Sequence, residues 1–163
     1  MSRPSTPEPG RPIFQPVDPG YAARVRASFA QQGIMAHLGA ALGAVEPGTC
    51  EIALPWRPEL TQQDGFFHAG VVATIADSAA GYAAFTLMPA DARVLTVELK
   101  INLLAPARGE RLLARGLVEK AGRTLVVARA DVSALAAGSW SRVATMLATT
   151  ICLRPEARPG PGG

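Results

Sequence analysis

The polar run Gln62-Gln63-Asp64-Gly65-Phe66-Phe67-His68-Ala69-Gly70 leads straight into an apolar segment, Val71 to Phe85, in which Asp77 is the only charged side chain. An aspartate is rarely buried without a partner or a task. A desolvated carboxylate with few partners is more basic than one in water, so it can take a proton from water or attack a carbonyl directly. Ala69 and Gly70, at the start of the same segment, would offer helix N-terminal N–H groups and a positive dipole end to negative charge developing on an oxygen. The competing reading makes Asp77 a structural group that caps a neighbouring segment or pairs in an interface. His68 divides in the same way between acid–base work and holding loop geometry through a ring hydrogen bond, and Gln62 between a site role and a solvated loop.

These groups need elements to hold them. Segment 69–85 reads as a helix that is apolar on almost every side, and therefore buried. Tyr21, Val25, Ala27 and Phe29 allow a short amphipathic helix before it, closed by Gly33. From Ile34 to Pro55 the pattern suggests two strands joined at Glu46-Pro47-Gly48, which places His37 in an apolar strand facing the core. After Pro89-Ala90-Asp91, the residues Leu95, Val97, Leu99, Ile101 and Leu103 alternate with Thr96, Glu98, Lys100 and Asn102, the signature of a half-buried strand. That parity puts Thr96 on the outer face, with Glu98 and Lys100. Further strands are expected to about Glu119, over 123–135 and over 140–152, with turns at Lys120-Ala121-Gly122 and Ala137-Gly138-Ser139. The expected fold is α+β, one long central helix wrapped by a curved antiparallel sheet. Residues 1–20 hold six prolines and 154–163 are rich in Pro and Gly, so both are expected to be disordered tails around one domain, 21–153.

Composition narrows the function. The 163 residues carry a net charge of +3, with Lys and Arg scattered and few aromatics, which argues against nucleic-acid binding. Asp77 at the centre of the longest apolar stretch disfavours membrane insertion. Cys50 and Cys152 form no CxxC and no metal-spaced cluster, so a reduced cytoplasmic setting without structural zinc is expected. Cys50 has no His at a suggestive spacing and makes a poor candidate nucleophile.

Gly65-x-x-His68-Ala69-Gly70 followed by Ile75-Ala76-Asp77, with Thr96-Val97-Glu98-Leu99-Lys100-Ile101-Asn102-Leu103-Leu104-Ala105-Pro106 downstream, resembles the hotdog-fold acyl-CoA thioesterases of the phenylacetate-degradation type, over roughly residues 35–152. The resemblance implies hydrolysis of an acyl-CoA, aryl or medium-chain, without metal or redox cofactor, coenzyme A being part of the substrate. It implies Asp77 as base or nucleophile, the Ala69 N–H as the group polarising the carbonyl, and Thr96 as a hydroxyl near the acid. The family commonly has Asn where Gln62 stands and Gly where Ala69 stands. Arg123 and Thr124 at a strand start and Arg108 in a loop are candidate phosphate contacts.

Asp77 follows Ala69 by eight residues, a rise of about 12 Å along a helix, and the two also point in different directions. Two helices antiparallel across a twofold axis would bring the Ala69 end of one chain to the Asp77 of the other, so a homodimer is expected, paired again into a dimer of dimers as in the family. Two further functions compete: a non-catalytic acyl-CoA sensor, and a hotdog enoyl-CoA hydratase. The hydratase signature Asp-x-Asn-Pro-x-His is not met by Asp64 and His68, which are four apart with neither Asn nor Pro between them.

Overall fold

A computed structural model describes residues 12–154. In chain order these form α1 (Tyr21–Ala30), α2 (Gly33–Leu38), β1 (Ala41–Glu46), β2 (Thr49–Pro55), a 3-10 turn at Pro58–Leu60, α3 (Ala69–Phe85), β3 (Arg93–Leu103), β4 (Arg111–Ala121), β5 (Leu125–Ala136) and β6 (Ser139–Leu153). The six strands make one sheet in the order β1-β2-β4-β5-β6-β3, every neighbouring pair antiparallel. α3 lies across its concave face.

Period-two alternation turns one face of each central strand to the helix: Leu112, Ala114 and Val118 from β4, Val126, Ala128, Ala130 and Val132 from β5, Ala144, Met146 and Ala148 from β6. Most of these are alanine or valine, and α3 answers with Ala76, Ala79, Ala80, Ala83 and Ala84. Small side chains on both surfaces let main chain approach main chain. The limit is reached at Gly116 of β4, where an added Cβ would stand 2.0 Å from the carbonyl oxygen of Ala79. Larger side chains at the margins, such as Ile52, Leu54, Ile75 and Leu112, are fully buried and contribute about 1.5–3 kcal/mol each.

Two local expectations are corrected. Residues 33–38 are helical, because Met35 and Leu38, three apart, bury one face, and Gly39 ends the turn at φ 72°. His37 is accordingly exposed on α2 instead of packed in a strand, and its carbonyl accepts from Arg57 Nη2 at 2.9 Å. The second correction concerns β3. Thr96 pairs with Thr150 and Glu98 with Thr149, so Val97 is an extra residue that reverses the parity of the strand. Before the bulge, Val94 and Thr96 face the helix while Leu95 and Val97 are each 55% exposed; after it, Ile101 packs on the core. The expected inner set of odd-numbered residues therefore fails before the bulge, and after it only Ile101 packs on the core while Leu99 and Leu103 are exposed.

Residues 1–11 and 155–163 lie outside the described residues. Within 12–20, Phe14 packs under Gly48 and Asp18 pairs with Arg24 at 2.9 Å, so contacts of the folded unit reach back to Phe14. No helix among the described residues is long and apolar enough to cross a membrane.

The contact at Gly116 makes a direct prediction. Gly116→Ala forces a methyl into the Ala79 carbonyl and should lower stability by about 1–3 kcal/mol, read as a lower urea midpoint with an unchanged slope; an unshifted midpoint would mean that helix and sheet do not meet there.

Candidate active site

α1 lies antiparallel along the C-terminal half of α3 and is held by polar contacts at four-residue intervals. Arg24 Nη2 donates to the carbonyls of Phe85 (3.1 Å) and Met88 (2.8 Å), which satisfies the end of α3, and its guanidinium stacks on Phe85 at 4.0 Å. One turn on, the Ser28 and Tyr82 hydroxyls are 3.4 Å apart; another turn on, Ser78 Oγ donates to Gln32 Oε1 at 3.3 Å. α1 itself ends at Ala30 and Gln32 immediately precedes α2, so this cover stops at Ser78. From Ser78 to Phe85 every residue of α3 is buried, whereas the stripe Ala69, Gly70, Ala73, Thr74 and Asp77 is left open or half-buried. The expectation of a helix buried all round is met only in its second half.

Asp77 is the last member of that open stripe. Thr96 Oγ1 donates to its Oδ1 at 2.7 Å, a contact that exists because the Val97 bulge turns Thr96 inward. Its other oxygen has no partner among the described residues. The carboxylate opens on a hollow of about 290 Å³ walled by α1, α3 and β3, with no Lys or Arg among its lining residues. Thr96 thus belongs to the site, against the parity argument and in agreement with the resemblance.

The other end of α3 is built by its cap. His68, at backbone φ −62° and ψ 139°, precedes the helix, and its Nδ1 accepts the Gly70 N–H at 2.9 Å. The ring therefore holds the loop, and Gly70 has no N–H to spare for a ligand. The N–H groups of Val71 and Val72 go to the His68 carbonyl. The Ala69 N–H has no acceptor among the described residues, and Ala69 lines a second hollow of about 470 Å³ with Gln62, Phe66, Phe67, Leu103 and Pro106. Gln62 faces this hollow, but its side-chain amide is turned back on Asp64, donating Nε2–H to Oδ2 at 3.2 Å and accepting the Asp64 N–H.

The two hollows share no lining residue, so a single chain does not bring Ala69 and Asp77 together. Arg108 is exposed above the Phe66 ring, 4.9 Å from its centroid, at the Ala69 hollow. Arg123 and Thr124 are exposed in the β4–β5 turn, where the Thr124 carbonyl accepts from Cys152 N–H at 2.8 Å; neither lines the Ala69 or the Asp77 hollow. Trp56 is 43% exposed and lines neither. Burial, with help from Glu51, pushes the Cys50 thiol up to about 12, so no thiolate is present at neutral pH. Among the described residues no three His, Cys, Asp or Glu side chains could hold a metal ion. Ser28 and Gln32 were not singled out in the sequence, although Arg24, Ser28 and Gln32 repeat at one-turn spacing.

A long helix wrapped by a curved six-stranded antiparallel sheet is the hotdog fold. Residues 64–137 match the thioesterase superfamily. A protein of Halobacterium salinarum, provisionally named an esterase, is 31% identical over 116 residues, which cover 68% of this chain and 76% of the relative. The crystal structure of a thioesterase family protein from Silicibacter pomeroyi superposes with a TM-score of 0.83 at 52% identity, covering 83% of this chain and all of that one. The protein of the phenylacetic acid degradation operon of E. coli shares the fold at 16% identity, with a TM-score of 0.73 over 82% of this chain and 93% of that one. The chain belongs to the thioesterase superfamily.

The role found for His68 can be checked by stability. His68→Ala, which removes the acceptor for the Gly70 N–H, should cost about 1 kcal/mol, and His68→Asn, which can still accept it, less than half of that; equal losses in thermal unfolding would contradict the cap.

Proposed function

We propose that this protein hydrolyses acyl-CoA thioesters to the free acid and coenzyme A, at sites that each combine Asp77 of one protomer with the Ala69 N–H of another. The observation that carries this reading is the open stripe of α3. It holds, eight residues apart, an N–H that has no acceptor and a carboxylate oxygen that has no donor among the described residues. A second α3 packed antiparallel on the stripe, with the twofold axis near Ala73, sets each Ala69 against the other chain's Asp77, and Gly70 and Ala73 are small enough for the helices to meet closely. The edge of β3 supports the same partner. It is an eleven-residue strand with Leu95, Val97, Leu99 and Leu103 exposed, a long apolar edge that a second copy would cover. On the outer face, Leu95, Leu125 and Ile151 lie in register across β3, β5 and β6, a patch suited to pairing dimers.

In the combined site the thioester oxygen lies against the Ala69 N–H at the positive end of α3, where negative charge builds as the carbonyl is attacked. The Asp77 oxygen not bonded to Thr96 takes the proton of an attacking water, or attacks the carbonyl itself to give an acyl-aspartate that water then opens. On either route the C–S bond breaks and the coenzyme leaves as a thiolate that is protonated by solvent. Arg108 at the Ala69 hollow, and Arg123 with Thr124 farther out, are the groups offered to the phosphates of the coenzyme. No residue needs a metal or redox group for these steps. Aryl or medium-chain acyl groups are what the resemblance of the sequence motifs implies, and the two buried free thiols suit a reducing cytoplasm.

Thiol release from a panel of acyl-CoA esters tests the reading. Asp77→Asn should lose at least about 100-fold in turnover, the usual scale for removing a general base, while sedimenting as the wild type does. Equal turnover by the two proteins would move the chemistry elsewhere, and a fully active monomer in sedimentation would refute the shared site.

A further inference from the structure

Gly81 sits in the middle of α3, where glycine weakens a helix relative to alanine, yet a Cβ added there would meet nothing within 4 Å. Packing therefore does not require this glycine. The space it leaves is part of the Asp77 hollow, which Val94 and Leu95 of β3 bound on one side and polar side chains on the other: Ser28 of α1, Gln32 just beyond its end, and Ser78 and Tyr82 of α3. Gln32 Oε1 accepts from Ser78, which fixes the side chain, and its Nε2 has no partner among the described residues. Among the described residues the Tyr82 and Ser28 hydroxyls have only each other, across 3.4 Å. Tyr82 and Ser78 are themselves almost wholly buried.

A plain alkyl or phenyl group filling this hollow would strip water from an amide N–H and two hydroxyls and return no hydrogen bond, which is the costly case for buried polar groups. The phosphates of the coenzyme do not belong here either, since the hollow holds a carboxylate and no cation, whereas Arg108 stands at the other hollow. We propose that the Asp77 hollow receives the far end of the acyl group, that Gln32, held by Ser78, selects acyl groups bearing a hydroxyl or carbonyl oxygen there, and that Gly81 keeps the space clear. This rests on the acyl-CoA reading above and adds the acyl class to it. Gln32 and Gly81 determine specificity and take no part in the chemical step.

The test uses the full chain and two matched pairs of coenzyme A thioethers, one straight-chain and one aryl, the members of each pair differing by a single terminal hydroxyl. Calorimetry should show at least one hydroxylated member bound about tenfold tighter than its partner, the effect of one well-made hydrogen bond. Gln32→Leu should abolish that preference by weakening the hydroxylated member alone. Gly81→Ala should raise the melting temperature, by the helix propensity of alanine, and weaken binding of both members. Tighter binding of both unsubstituted members, an equal loss for both under Gln32→Leu, or a Gly81→Ala protein that binds as the wild type does would each overturn the proposal. Because thioethers are not cleaved, the outcome stands apart from hydrolysis: selective binding with no thiol release from the corresponding thioesters would sink the enzymatic reading and leave the recognition intact.

Discussion

The main chain of α3 meets the main chain of β4 at Gly116 with no side chain between them, and the depth at which the helix sits in the sheet follows from that contact. A helix held so close needs alanine and glycine over most of its length, which is why an apolar seventeen-residue segment contains so few large residues. Close approach also decides what the strands at the sheet margin can reach. Thr96, a short side chain on an edge strand, spans the gap to Asp77 at 2.7 Å because helix and strand are near and the Val97 bulge points it inward. The positions of the carboxylate, of its one donor and of the open hollow beside it are thus consequences of backbone packing.

A second constraint is the length of α1. Its polar edge, continued by Gln32 just past its end, follows α3 from Phe85 back to Ser78 and stops, leaving Asp77 and the residues N-terminal to it uncovered. Cover and exposure divide the central helix into a half that is core and a half that is surface in a single chain. The two groups fitted to thioester chemistry, an N–H with no acceptor and a carboxylate oxygen with no donor among the described residues, both fall in the uncovered half. Their separation along the axis, about 12 Å, is too great for one carbonyl and matches the offset of two antiparallel helices. On the proposed reading, catalytic need and the need to cover the open stripe call for the same partner, a second copy of the chain.

Much of this was legible in the residues. The helix 69–85 and the late meander appeared with their approximate limits because their apolar periods are uninterrupted, and Asp77 stood out because a charge breaks such a run. What misled was local geometry that periodicity does not encode. A one-residue bulge reversed the inner face of β3, so Thr96 read as an outward residue when it bonds the acid. A six-residue helix ended by Gly39 read as a strand because its apolar residues are too few to show a period. The polar wall of Ser28 and Gln32 was hidden for another reason: the two acquire meaning only beside Ser78 and Tyr82, some fifty positions later in the chain. His68 and Gly70, both taken as site residues, turn out to satisfy one another.

The most direct test of a site shared between chains is a crystal structure of the protein with a non-cleavable keto analogue of an acyl-CoA, its ketone standing in the place of the thioester carbonyl. The ketone oxygen should lie within hydrogen-bond distance, about 3 Å, of the Ala69 nitrogen of one protomer while the carbonyl carbon faces the Asp77 carboxylate of the other. A ketone held by Ala69 and Asp77 of the same chain, or one that lies beside neither, would contradict the account.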